Sequence, residues 1–319
     1  MINTIARYMI DFSRFNSLVD IALYFDTQNK CKKAIAESRW PDGIAKCPYC
    51  GESHSYKRGD GRYICKKCNC SFSALVGTIF ENTKISLVKW FMAMYLISSH
   101  RKGISSHQLS RDLHVTQKTA WFMLHKIRTL FTQNDTEYLD GDVELDEMYL
   151  GGREINKHES KRIHNTQGRS TKTKTPIFGM MARYGEVRAL VVENTQAVTL
   201  MPIIKQFCAR NAHFFTDELS SYSCLEKNGY KHSVIQHGIK EYSKNGVSTN
   251  NIEGFWGHFR RMVFGTYHFV SKGYLQQYVN EAVYRYNTRK ASESERFSHM
   301  LAMSIGVCDY KAVKALKVA

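Results

Sequence analysis

Residues 143–150 read VELDEMYL, an apolar stretch that also carries three acidic side chains. The alternation of side chains along a strand would place Glu144, Asp146 and Met148 on one face and their neighbours on the other. A carboxylate inside a buried strand is unfavourable unless it is paired or bound to a cation. We therefore interpret Asp146 as a candidate metal ligand and Glu144 as a neighbour that supports it.

Two further acids follow predicted elements later in the chain. Residues 213–216 read HFFT, which predicts a short buried strand, and Asp217 follows it directly. Glu253 begins a predicted amphipathic helix, on which Arg260 lies two turns later on the same face. Carboxylates from two strands and a helix can bind a pair of Mg²⁺ or Mn²⁺ ions. Such a pair stabilises both the attacking and the leaving oxygen at a phosphodiester, so the pattern predicts a metal-dependent nuclease.

Four cysteines form two C-x₂-C pairs, Cys47 with Cys50 and Cys65 with Cys68. Two such pairs close a tetrahedral shell of four thiolates around one zinc ion and leave no position open for a substrate. The zinc is therefore predicted to be structural, and Cys70, two residues further on, is predicted not to bind it. Four free or buried thiols are the alternative.

The charge balance predicts a polyanionic partner. Lys and Arg number 45 against 29 Asp and Glu, which gives a net charge of +16 and a pI near 9.4. No run of about 18 apolar residues is present, so no membrane span is predicted. The nine cysteines are an odd number, which argues against a disulfide framework and favours a reducing cytoplasm.

Residues 104–130 predict two helices joined by a tight turn. Ser105 and Thr116 are suited to cap the two helices, and His114 and Val115 lie between them. This arrangement is typical of a helix-turn-helix that binds DNA in the major groove, although a helical hairpin with an apolar core is the alternative. The predicted phosphate contacts here and in the zinc ribbon are Lys118, Lys126, Arg128, Lys57 and Arg58.

Three segments resemble one known family. They are LDEMY at 145–149, the strand that ends before Asp217, and TNNIEGFW at 249–256. All three resemble the DDE transposases of bacterial insertion sequences, in the group that carries an N-terminal zinc ribbon. WPDG at 40–43, just before CPYCG at 47–51, is similar to that group too. The resemblance extends from about residue 15 to about residue 290.

The resemblance implies an α/β fold, with a ribonuclease H-like mixed sheet and flanking helices behind a zinc ribbon and a helix-turn-helix. Asp146 would lie on the first strand, the fourth strand would end at Asp217, and a later helix would carry Glu253. It also implies binding of terminal inverted repeats, cleavage at transposon ends and strand transfer into target DNA, by a homo-oligomer on double-stranded DNA. Arg260, together with Arg261, would contact that DNA.

Three other side chains near the predicted site are candidates for a supporting role. Members of the group are sometimes described with asparagine as the third ligand, so Asn250 and Asn251 are alternatives to Glu253. We favour Glu253, because a carboxylate binds a divalent ion more strongly than a neutral amide does. His237 could orient water or bind phosphate, or it could be a structural histidine.

The predicted domain order is N-terminal helices (1–45), a zinc ribbon (46–75), a helix-turn-helix region (76–135), a catalytic domain (140–290) and a C-terminal tail (291–319).

Two other functions remain open at this point. One is a zinc-ribbon DNA-binding regulator with an inactive nuclease core. The other is a host nuclease or resolvase, which would cut DNA without joining the ends.

Overall fold

The computed structural model of the chain describes residues 10–133, 137–152, 155, 158–163, 170, 172–235 and 248–305. They fall into two compact units: residues 1–130 with 290–319 form unit 1, and residues 131–289 form unit 2. The helices are α1 (Leu18–Tyr24), α2 (Gln28–Arg39), α3 (Leu87–Ser99), α4 (Ser106–Leu113), α5 (Gln117–Arg128), α6 (Ala197–Phe207), α7 (Cys224–Lys227), α8 (Asn250–Met262), α9 (Leu275–Asn287) and α10 (Glu293–Met303). The strands are β1 (Ser55–Lys57), β2 (Tyr63–Cys65), β3 (Ser71–Phe72), β4 (Asp142–Leu150), β5 (Thr175–Ala182), β6 (Val187–Val191), β7 (His213–Thr216) and β8 (Lys231–Val234). Within the described ranges, no helix has the length and apolar character needed to cross a membrane.

The helices α4 and α5 begin at the residues predicted to cap them. The Ser105 hydroxyl accepts a hydrogen bond from the Gln108 backbone N–H at 3.1 Å, and Thr116 accepts one from the Thr119 N–H at 3.2 Å. His114 ends α4 in the left-handed conformation, with φ of 49°. The two caps and the turn between them are therefore confirmed.

The predicted outward positions of Lys126 and Arg128 on α5 are wrong. The side chain of Arg128 is 1% exposed and that of Lys126 is 6% exposed. The Lys126 ammonium donates a hydrogen bond to the Ile79 carbonyl at 2.8 Å, so its charge is satisfied inside the protein. A buried ammonium is costly unless hydrogen-bond partners such as this carbonyl compensate it. Among the proposed DNA contacts of α5, Lys118 in the first turn is exposed.

The region predicted to be a C-terminal tail contains α10, which is part of unit 1. A capping box starts the helix, because Ser292 and Glu295 each accept a hydrogen bond from the other's backbone N–H. The Phe297 ring is fully buried, with its centre 5.8 Å from that of Phe91 on α3. Residues 306–319 of the predicted tail lie outside the described residues.

The zinc-ribbon region contains an antiparallel sheet of order β1-β2-β3. The Tyr63 ring stacks on that of Phe72 with ring centres 5.6 Å apart, and the Trp40 ring meets Tyr63 edge-on at 5.1 Å. This aromatic cluster joins the end of α2 to the sheet.

Unit 2 contains a five-stranded mixed sheet of order β6-β5-β4-β7-β8. The pairs β6–β5 and β5–β4 are antiparallel, whereas β4–β7 and β7–β8 are parallel. Apolar residues of α8 and α9 cover one face of the sheet, and residues of α6 and α7 cover the other. Met148 packs with the first group, and Val143 and Leu145 pack with the second. The predicted α/β class, with a mixed sheet and flanking helices, and the alternation along β4 are confirmed.

Candidate functional site

Asp146 lies on β4, and Asp217 directly follows β7, the parallel strand beside it. The register pairs Glu144 on β4 with Phe215 on β7, and its continuation by two residues brings Asp146 beside Asp217. Paired strands are about 4.8 Å apart. The two acids, which are far apart in sequence, therefore meet at the end of β7.

Glu253 lies in the first turn of α8, where the Thr249 hydroxyl donates a weak hydrogen bond to its carboxylate at 3.4 Å. The opposite side of α8 is apolar: Ile252, Phe255 and Trp256 are buried against the sheet. Glu253 is exposed, so its carboxylate is accessible to solvent and to ligands.

The three acids influence one another electrostatically. Burial, together with the negative charges of Asp217 and Glu253, raises the pKa of Asp146 to about 7. The Glu147 backbone N–H and the nearby Trp256 indole N–H lower the pKa, although the indole N–H makes no direct hydrogen bond to the described residues. The carboxylates do not form a set within 4.8 Å of one another. A divalent cation would offset the repulsion among the three carboxylates. Mg²⁺ prefers oxygen ligands such as these.

Glu144 holds the start of α8 against the sheet. Its carboxylate is fully buried and accepts hydrogen bonds from the backbone N–H groups of Asn251 and Ile252, both at 3.0 Å. The Asn251 side-chain amide donates to it at 2.8 Å, and the Arg183 guanidinium donates at 3.2 Å. A carboxylate at a helix N-terminus satisfies N–H groups that have no partner within the helix. Glu144 therefore sets the position of α8, which carries Glu253.

Glu144→Ala protein is expected to lose about 3 kcal/mol of unfolding free energy, because the change leaves Arg183 largely buried without this partner. Hydrogen exchange should quicken at the amides of Asn251 and Ile252, which donate to the carboxylate. Glu193→Ala, which removes an exposed carboxylate of the same unit, is the matched control and should leave both quantities unchanged. Unaltered exchange in α8 of the Glu144 variant would contradict the capping role.

Gly179 on β5 allows α8 to approach the sheet closely. It pairs with Asp146, and a Cβ atom added to it would lie 2.5 Å from Cζ2 of Trp256 and 3.0 Å from Cδ1 of Ile252. Trp256 therefore packs directly on the backbone beside Asp146. Three residues of this site, Gly179, Arg183 and Trp256, were not predicted from the sequence. A glycine inside an apolar strand is a signal of close approach that could have identified Gly179.

Gly179→Ala protein is expected to be less stable by about 2 kcal/mol, since Trp256 and α8 must move away from the sheet. Trp256 is the one tryptophan of unit 2, so its fluorescence should report the shift. Gly254→Ala is a matched control on α8, because no described atom lies within 4 Å of the added Cβ. It should stabilise the helix by up to about 1 kcal/mol. Equal unfolding free energies for the two variants would contradict the packing described.

The four predicted zinc ligands lie together. The sulfur atoms of Cys47, Cys50, Cys65 and Cys68 lie within 4.8 Å of one another, and the Cys47–Cys68 and Cys50–Cys65 pairs are 3.6 and 3.5 Å apart. A tetrahedral zinc with bonds near 2.3 Å would place its sulfurs about 3.8 Å apart, so the cluster fits this ion. Cys70 is not in the cluster. The four-cysteine cluster thus supports a structural zinc.

Each pair of cysteines lies on a tight turn of the backbone. The N–H of Gly51 donates to the Cys47 carbonyl at 3.0 Å, and the N–H of Asn69 donates to the Cys65 carbonyl at 3.0 Å. Both donors have positive φ, 74° for Gly51 and 55° for Asn69, a conformation suited to glycine and tolerated by asparagine. The sequence therefore places the required turn residue after the second cysteine of each pair.

The remaining candidate residues have different environments. The Asn251 amide donates to Glu144, whereas Asn250 is exposed at the start of α8. His237 lies outside the described residues. The basic candidates whose side chains are exposed are Lys57, Arg58, Lys118, Arg260 and Arg261.

Comparison with known proteins identifies the family. Residues 138–287 match the ISXO2-like transposase domain, and residues 26–71 match the transposase zinc-ribbon domain. The chain therefore contains an ISXO2-like transposase domain preceded by a transposase zinc ribbon. The first match includes β4, β7 and α8 of this transposase, and the second includes all four clustered cysteines.

Two curated relatives agree with this assignment. The transposase is 28% identical over 268 residues to an uncharacterized protein in transposable element ISH50 of Halobacterium salinarum, a match that covers 80% of this chain and 89% of the relative. It is 29% identical over 102 residues to an uncharacterized transposase-like protein of Haemophilus influenzae, covering 32% of this chain and 81% of the relative. A chain of a pre-cleavage Mos1 transpososome aligns with 65% of this chain and 76% of its own length, with 13% identity and a TM-score of 0.28, too low to support a structural comparison.

Proposed function

We propose that this transposase binds the terminal inverted repeats of an insertion sequence and catalyses metal-dependent DNA cleavage and strand transfer, with Asp146, Asp217 and Glu253 as metal ligands. The observation that carries the proposal is the convergence of these acids. The negative charges of Asp217 and Glu253 act on Asp146, although the three residues come from different elements. Carboxylates that repel one another become favourable in a folded protein when a cation joins them.

The proposal includes a ribonuclease H-like sheet. Its support is the arrangement of the strands. On one side of β4, β5 and β6 are each antiparallel to their neighbour, and on the other side β7 and β8 run parallel to β4. Asp146 is on the first strand of this sheet, and Asp217 follows the fourth. The connection of α4 to α5 by a short turn supports the further proposal that they act as a helix-turn-helix.

The proposed roles of the residues follow from their environments. Asp146, Asp217 and Glu253 would hold Mg²⁺ or Mn²⁺, which stabilises negative charge at the attacking and leaving oxygens of a phosphodiester when bound. Glu144 keeps Glu253 in position by capping α8. Lys57, Arg58, Lys118, Arg260 and Arg261 have exposed side chains suited to contact phosphates, and a homo-oligomer would bring two transposon ends together.

The proposed function is tested with the purified full chain and DNA that carries the inverted repeats flanking its gene. We expect cleavage at the repeat ends in Mg²⁺, followed by joining of the free 3′ ends to a target duplex. Repeat binding without cleavage would indicate a regulator instead. Cleavage without joining would indicate a host nuclease, and either result would contradict the proposal.

Glu253→Gln protein is expected to lose cleavage and joining almost completely, because the amide is a poorer ligand for a divalent cation. Asn250→Ala changes an exposed neighbour on the same helix turn and is expected to keep most of the activity. The measurement is the rate of cleavage of the repeat DNA by each protein at saturating Mg²⁺. The reverse ranking of the two variants would assign the third ligand to Asn250.

A further inference from the structure

Two phenylalanines are exposed just beyond the helix that carries Glu253. A turn of π-helix, Val263–Tyr267, continues α8, and the side chain of Phe264 in it is 54% exposed. Phe269, shortly after this turn, is 80% exposed. Burial of a phenylalanine side chain contributes about 1.5–3 kcal/mol to the stability of a folded protein. The folded chain lacks most of this stabilisation at both Phe264 and Phe269.

Contacts on either side hold this segment in place. The Tyr267 hydroxyl donates a hydrogen bond at 2.8 Å to Glu281, which is fully buried and paired with Arg285. The Tyr267 and Tyr278 ring centres are 4.8 Å apart. Between Tyr267 and Phe269, His268 has a φ of 58° and ψ of −48°, and the Phe269 N–H donates to the Tyr267 carbonyl at 2.7 Å. A backbone in this sparsely populated conformation persists only where its surroundings enforce it.

The segment that carries the two rings is positively charged. Residues 254–280 contain no Asp or Glu, whereas Arg260, Arg261 and Lys272 have exposed side chains. Arg260 precedes Phe264 by four residues, so the two lie on neighbouring turns. Exposed aromatic side chains in a segment that carries cations suit a ligand that offers flat rings and phosphates. Nucleic acid combines the two, and its bases stack on aromatic side chains where they are unpaired.

We propose that Phe264 and Phe269 form a stacking surface for unpaired bases of DNA, with Arg260 and Arg261 contacting the adjoining phosphates. The inference rests on the proposed function, in which DNA is cut at Glu253 on the same helix. Phe264 follows Glu253 by 11 residues, about 16 Å of helix, so the stacking surface would hold bases that separate from the duplex at about that distance from the cleavage site. A paired duplex keeps its bases stacked on one another, so the two rings would contribute little to binding blunt-ended DNA.

The test measures binding of the full zinc-loaded chain to two labelled DNAs by fluorescence anisotropy, without the Mg²⁺ or Mn²⁺ that would permit cleavage. One DNA is a blunt duplex, and the other is the same duplex with a short single-stranded extension. We expect the unchanged protein to bind the extended DNA roughly 10-fold more tightly. The double variant Phe264→Ala/Phe269→Ala should lose this preference and keep its affinity for the blunt duplex.

Two further variants complete the test. Phe269→Trp should retain the preference, and the new tryptophan should lose fluorescence when the extended DNA binds. Tyr184→Ala removes a residue that is 82% exposed elsewhere in unit 2 and should bind both DNAs as the unchanged protein does. No preference in the unchanged protein, or an equal loss on both DNAs in the double variant, would overturn the proposal. A change of oligomeric state in the DNA-free double variant would overturn it in favour of a protein partner.

The DNA-binding test of the stacking surface and the cleavage test of the proposed function can fail independently. A preference for extended DNA that depends on both phenylalanines, in a protein that never cleaves, would contradict the catalytic proposal and support the stacking surface. Cleavage and joining by a protein that binds the two DNAs equally would support the catalytic proposal and contradict the stacking surface.

Discussion

Asp146→Asn protein is expected to cleave transposon ends at least roughly 1000-fold more slowly than the unchanged protein. A carboxylate ligand to the catalytic cations contributes several kcal/mol to the transition state, and each 1.4 kcal/mol or so is a factor of ten in rate. The folded protein should not be destabilised, because the change removes one of three mutually repelling charges. The measurement combines the cleavage rate in Mg²⁺ with the thermal unfolding midpoint.

Glu193→Gln provides the matched control, because it neutralises an exposed carboxylate of the same unit. Its cleavage rate should equal that of the unchanged protein. The proposed role of Asp146 would be wrong if the Asp146 variant cut and joined DNA at the normal rate. A variant that is inactive and also unfolds at a much lower temperature would assign Asp146 to the stability of the fold.

Cys65→Ser protein is expected to lose its zinc and the folded structure of the ribbon. Cys65 is fully buried at the end of β2, and its sulfur lies 3.5 Å from that of Cys50. In zinc-finger peptides the binding of a structural zinc supplies about 10–16 kcal/mol, which is also folding free energy. Metal analysis should find about one zinc per unchanged chain and much less in the variant. Proteolysis should then cut the ribbon of the variant preferentially.

Cys70→Ser is the matched control, since this cysteine follows the last ligand by two residues and is not in the cluster. It should retain its zinc and its resistance to proteolysis. Equal zinc content in the two variants would mean that Cys65 is not a ligand, and loss of zinc from the Cys70 variant alone would exchange the roles of the two residues.

Local signals predicted several parts of this fold from the sequence. Ser105 and Thr116 cap their helices because a hydroxyl before a helical stretch can accept the free N–H groups of its first turn. The alternation along β4 predicted which of its side chains share a face, because side chains on a strand point alternately to its two faces. The pairing of the zinc cysteines follows from the short C-x₂-C spacing, which needs no information about the rest of the chain.

Contacts between distant residues were not predictable in the same way. The role of Glu144 depends on Asn251, more than a hundred residues later, and only the packed α8 brings them together. Lys126 was predicted on an exposed face because a lysine is usually solvated, whereas its ammonium finds the Ile79 carbonyl inside unit 1. The region of α10 was predicted as a tail, because its core contact is with α3, about two hundred residues earlier.

The position of α10 has a consequence for how the chain folds during synthesis. Unit 1 comprises the first segment of the chain and a short last one, so unit 2 is an insertion within it. During synthesis, Phe91 on α3 therefore lacks its contact with Phe297 until all of unit 2 has been translated. All residues of unit 2 are therefore synthesised before the last residues of unit 1. Unit 2 can fold first, which reverses the usual order of domain folding from the N-terminus. A chain cut off after α5 would expose the apolar site that Phe297 fills.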